Sequence, residues 1–115
     1  PAMFPKLRWG FIELSAQWVP YLLNDLELRF KRRGTRFSKD IMKENNLYVA
    51  CQVTDDFDAI LQNMSSDNLV IGTDYGHHDT STQIEALRMI REDGKVAANI
   101  VDDILGDNAA RLYGL

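Results

Sequence analysis

Three apolar runs constrain this chain more than any other feature: LRWGFIEL (Leu7 to Leu14), LYVACQV (Leu47 to Val53) and LVIGTD (Leu69 to Asp74). Each is apolar at successive positions rather than at alternate ones. That is the signature of a strand covered on both faces, the usual situation in a parallel sheet. Segments of helical period separate the runs. In SAQWVPYLLNDLELRFKRRG, Trp18, Leu22, Leu26 and Phe30 fall four apart and make one apolar stripe. Pro20 fits only the first turn, so the helix begins near Gln17 to Val19. Lys31, Arg32 and Arg33 suit its negative end, and Gly34 suits a left-handed cap.

RFSKDIMKENN reads as a short helix capped by Ser38. TDDFDAILQNM reads as another, capped by Thr54 or Asp55, with Phe57, Ile60, Leu61 and Met64 inward. After the third run, Thr80 with Gln83, or Thr82 with Glu85, has capping-box spacing. Ile84, Leu87, Ile90 and Met89 make the inner face of the helix that follows, and Gly94 ends it. Val96, Ile100, Val101, Ile104 and Leu105 mark a further helix closed by Gly106, and Asp107 caps a last short one, NAARLYGL. Strand and helix alternate, which predicts an α/β fold with parallel strands and crossover helices. Three such strands make an incomplete sheet, because both faces need cover and both edges remain open to pairing. The pattern reads as a single partial domain spanning residues 1–115, part of a larger sheet or barrel.

Composition narrows the function classes. A chain of 115 residues with 45% hydrophobic and 26% charged residues is one ordinary folded domain. Its net charge of −4 argues against nucleic acid as a partner. No run reaches the length of a membrane span, and PAMFPKLRWG lacks the apolar centre of a signal peptide, so a cytoplasmic protein without a membrane partner is expected. Position 1 is not Met, so the true start can lie upstream. Cys51, the single cysteine, excludes an internal disulfide and reads as a small apolar core residue.

Parallel α/β folds bind ligands at the carboxyl ends of their strands. The first run delivers Glu13 and Ser15 there, the second Gln52, Thr54, Asp55 and Asp56, and the third Asp74, Tyr75, His77 and His78. Asp74 can ligate a divalent cation and accept a proton from bound water. A turn Asp that caps following amides fits the residue equally well. Adjacent His77 and His78 read either as a solvated pair or, on an irregular loop, as ligands. Glu13 can touch a ligand or hold a loop donor. KRRGTR can grip an anion, though a cationic helix end explains it. The turn before Thr80 to Thr82 can cradle phosphate at a helix start, without the Gly-rich spacing of a phosphate loop.

FPKLRWGFIELSAQWVPYLL, NLYVACQVTDD, DNLVIGTDYGHHD and ILGDNAARLYGL resemble, in order, blocks from the C-terminal part of the amidohydrolase-related family. These are the metal-dependent hydrolases and decarboxylases grouped with aminocarboxymuconate-semialdehyde decarboxylase. The resemblance implies a (β/α)8 TIM barrel in which the three runs are the sixth, seventh and eighth strands. It implies a small-molecule substrate and a divalent metal, zinc. Asp74 matches the family's eighth-strand Asp, a metal ligand and proton acceptor. His77 matches the His of an Asp-Tyr-Pro-His pattern, with Gly76 standing where the family has Pro. The family's other ligands, a His-x-His pair on the first strand and a His on the fifth, have no counterpart, because this chain has no His besides His77 and His78. A barrel needs about 250 residues. The expectation is therefore a C-terminal segment that is inactive alone and holds a metal poorly by itself. It would associate with the missing N-terminal part or with copies of itself. The alternative is a non-enzymatic assembly module self-associating through its open sheet edges.

Overall fold

The computed structural model describes residues 3–78 and 82–115. The three apolar runs do form strands: β1 (Trp9–Phe11), β2 (Leu47–Cys51) and β3 (Leu69–Ile71). They pair parallel in the order β1-β2-β3, with Trp9 opposite Leu47 and Val49 opposite Leu69. Helices α1 (Trp18–Arg32), α2 (Ile41–Glu44) and α3 (Phe57–Asn63) fall between the strands. Helices α4 (Ala86–Glu92), α5 (Ala98–Asp102) and α6 (Asn108–Tyr113) follow β3.

Alternation along β2 divides the core. Val49 and Cys51, with Leu69 of β3, face a main core filled by Val19 and Leu23 of α1, Ile60 of α3, Ile90 of α4 and Ile104. Tyr48, Ala50 and Val70 point to the other face, where Ala109 and Leu112 of α6 cover them. The second and third runs are thus buried on both sides, as their composition requires. The first run departs from its expectation, since all three residues of β1 are exposed. It is an edge strand with β2 on one side, and Phe11 makes a ring contact with Trp18, 5.6 Å between centroids.

Helix α1 starts where Pro20 demands, its third residue being the proline, which lacks a donor where none is needed. Gly34 follows its end at φ 65°. The buried row of α1 is Val19 and Leu23, while the anticipated stripe of Trp18, Leu22, Leu26 and Phe30 runs along the half-buried shoulder beside it. Ser38 opens the turn before α2, accepting from the Asp40 N–H at 3.2 Å, and the helix itself begins at Ile41. Asp56 rather than Thr54 or Asp55 caps α3, accepting from the Ala59 N–H at 3.0 Å.

Several expectations after β3 are corrected. Helix α4 has no side-chain cap; Thr82 uses its hydroxyl on the preceding loop, and Thr80 lies outside the described residues. Because α4 begins only at Ala86, its inner row is Ala86 and Ile90 with half-buried Met89, and both Ile84 and Leu87 are exposed. Gly106 does not close a helix. It lacks the left-handed φ of a glycine cap, which Gly114 adopts. The chain runs from α5 to α6 through a π turn, Asp103–Asp107, so Asp107 is helical and caps nothing. Among the described residues no helix is long and apolar enough to cross a membrane.

Candidate functional site

The carboxyl ends of β1 and β3 bring three of the sequence-selected side chains together. His77 Nδ1 lies 3.1 Å from Asp74 Oδ2 and 3.4 Å from Glu13 Oε1. One ligand-type atom from each of the three residues sits within 4.8 Å of the other two. The meeting depends on irregular backbone. Glu13 has φ 61°, Ser15 φ 54° and Asp74 φ 52°, a region non-glycine residues seldom occupy. Such geometry persists only where surrounding contacts over-determine it, and it is concentrated at functional sites.

Those surrounding contacts are readable. Asp55, 6% exposed, accepts from the Ala16 N–H and the Gln52 N–H, both at 2.9 Å, and from the Ser15 hydroxyl at 2.5 Å. This one carboxylate locks the loop that carries Glu13 to the end of β2. On the other side the Thr82 hydroxyl donates to the His77 carbonyl at 2.7 Å, and the His77 N–H donates to the Asp74 carbonyl at 3.2 Å. The Gln83 N–H closes the loop on the Thr73 carbonyl at 3.0 Å. Asp55 and Thr82 are positioning residues whose roles the sequence reading missed. Their only signal was polarity at a strand end, which they share with neighbours that do something else.

Asp74 is the most enclosed of the trio, its side chain 16% exposed against 52% for Glu13 and 59% for His77. Glu13 and Asp74 rim a concavity of about 240 Å³ whose wall is mostly apolar, from Ile12, Ala50, Val70 and Leu112, with Gln52 among the polar members. Cys51 also lines it, with its sulfur donating to the Val70 carbonyl at 3.2 Å; burial, helped by the Asp55 charge, pushes its thiol up to about 12. It is therefore a core residue and no nucleophile at neutral pH. The remaining strand-end candidates do not join the group: Tyr75 and His78 are exposed and Asp56 caps α3. The cationic KRRGTR segment is the end of α1 and the turn after it, remote in the chain from this loop cluster.

The fold is similar to that in the crystal structure of an amidohydrolase from Mycobacterium avium subsp. paratuberculosis K-10. The TM-score is 0.76 and the sequence identity 23%, over 99% of this chain. The chain spans 30% of the length of that protein. No family model matches the sequence, and no curated protein does.

Proposed function

We propose that this chain is the C-terminal segment of a metal-dependent amidohydrolase-type hydrolase or decarboxylase, to which it contributes Asp74. The observation that carries the reading is the placement of Asp74. It stands at the carboxyl end of the last of three parallel strands, on left-handed backbone, at the rim of an apolar concavity and 3.1 Å from an imidazole. The likeness in fold to an amidohydrolase over nearly the whole chain supports it, as do the sequence blocks quoted above.

The residues present fit a divalent ion, since carboxylate and imidazole are the donors that zinc takes. A bound zinc would supply a polarised substrate carbonyl or an acidified water. In this reading the Asp74 carboxylate would help to hold the ion and would take up the proton released in the reaction. His77, through Nδ1, holds that carboxylate in orientation. The apolar wall binds the body of a small-molecule substrate and keeps water from it, and Glu13 faces the substrate side. The other family ligands come from strands outside this chain, so the chain by itself is inactive. A non-enzymatic module that assembles through its sheet edges is the second reading, favoured by the exposure of β1.

The test reads the DNA upstream of the Pro1 codon. An in-frame His-x-His pattern on an apolar run is expected. With that whole frame expressed and screened against carboxylic acids and amides, Asp74→Asn lowers kcat by at least about 100-fold, the usual scale for a lost proton acceptor. Full turnover by Asp74→Asn, or a frame lacking the His-x-His, sinks the proposal.

A further inference from the structure

We propose that the cavity at the amino ends of β2 and β3 binds a small hydroxycarboxylate, with Arg111 and Lys43 taking the carboxylate and the Asn68 side-chain oxygen taking the hydroxyl. The site lies at the opposite end of the strands from the Asp74 rim and does not depend on the function proposed there.

A buried acceptor without a donor is the starting observation. Asn68 is 3% exposed, yet its Oδ1 meets no hydrogen-bond donor among the described residues. Native structures seldom leave such an atom unpaired, because nothing then replaces its lost hydration. Asn68 lines a concavity of about 310 Å³ together with Lys43, Asn46, Tyr48, Asp67 and Arg111. Lys43 on α2 and Asn46 precede β2, Asp67 and Asn68 precede β3, and Arg111 stands on α6, so the lining is drawn from three parts of the fold.

Charge sets the class of ligand. Lys43 Nζ lies 2.6 Å from Asp67 Oδ2, and that bond holds the lysine above its ordinary range and the aspartate below its own. The Arg111 charge reaches both members of the pair. Its guanidinium donates to the Asn108 side-chain oxygen and forms no ion pair among the described residues. Two cations and one carboxylate leave one positive charge in the lining. A monoanion cancels it, whereas a phosphate dianion would overshoot and be repelled by Asp67. A carboxylate also suits the planar guanidinium fork, which can present two parallel N–H donors. A hydroxyl on the same ligand then answers the Asn68 oxygen, while an ammonium in its place would leave the positive charge standing. Water is the competing occupant; it answers the acceptor but leaves the charge uncancelled.

Titration of the isotope-labelled chain with sodium lactate, followed through the Asn68 side-chain amide signals in nuclear magnetic resonance, tests this. A saturable shift with a single affinity is expected. Propanoate, which lacks the hydroxyl, and lactamide, which lacks the charge, should each bind at least about tenfold more weakly. Arg111→Gln should weaken lactate at least about tenfold, and Lys95→Gln, at an exposed cation paired with Asp93, should leave it unchanged. Because Arg111 also holds Asn108, circular dichroism checks that its variant folds. Should that variant unfold, the comparison of the three ligands on the unaltered chain decides alone. The proposal is overturned by the absence of a saturable shift through the millimolar range, which is the result for a site holding water only. It is overturned equally by propanoate or lactamide matching lactate, or by lactate binding indifferent to a folded Arg111→Gln.

Discussion

Asp55 and Cys51 sit four residues apart and show how a buried charge earns its place. Asp55, 6% exposed, accepts three hydrogen bonds from Ser15, Ala16 and Gln52. Losing the carboxylate would free the loop of Glu13. Its charge has a consequence next door. The Cys51 thiol, with an ordinary value of 9.0, is pushed up to about 12 by burial first and by Asp55 second. Raising an acid's pKa in the folded state means the unfolded chain loses its proton first. The contribution is therefore fully present below about pH 9 and drains away as pH climbs toward 12, at up to about 1.4 kcal/mol per pH unit. Chemical unfolding followed between pH 8 and 11 should show stability falling with pH in the wild type and falling less steeply in Cys51→Ala. Parallel slopes would mean that the thiol titrates alike in both states. At pH 8 the native thiol should also resist iodoacetamide until denaturant opens the core.

At the scale of elements, the C-terminal helix shows what patterning can and cannot reveal. Apolar spacing placed the three strands and the existence of a helical C-terminus, because periodicity reports which side of an element is buried, while Pro20 placed the start of α1. It could not report that β1 is exposed, since that depends on what lies beside the strand and not on the strand itself. Nor could it separate Asp55 from Asp56, adjacent carboxylates of which one faces the β1 loop and the other caps α3. The gathering of Glu13 with Asp74 and His77 needed left-handed turns at non-glycine residues, which leave no compositional mark. The π turn was hidden in the same way. Gly106 looked like a stop, yet the helix continues and brings Asn108 to a position of zero exposure. There its amide donates to the carbonyls of Ser66 and Leu69, both at 2.7 Å, and accepts from Arg111. A single side chain thereby fastens α6 to the entry of β3 and keeps Leu112 over the sheet. Asn108→Ala should cost about 2–3 kcal/mol in urea unfolding, because it leaves buried acceptors without donors. A loss below about 0.5 kcal/mol would show that the helix stays docked through its apolar contacts alone.

The whole molecule is governed by an edge. A parallel sheet of three strands has two open sides, and isolated edges pair with whatever strand they meet. Here one side is β1, bearing Trp9 at 41% exposure, followed by Ile12 at 52% and Leu14 at 58%. Apolar side chains so concentrated on a free edge mark a surface meant to be covered. A neighbouring strand or a second copy placed there would use the same backbone groups. In the purified chain, copies are the available partner. Light scattering during size exclusion should then give a mass above the 13.2 kDa of one chain, rising with concentration. Placing charge on the edge is a device by which natural sheets refuse pairing, so Trp9→Lys with Ile12→Lys should shift the chain toward monomer. A wild-type chain that stays monomeric through the millimolar range would mean that β1 is tolerated bare, and the argument for a missing neighbour would lose its physical basis.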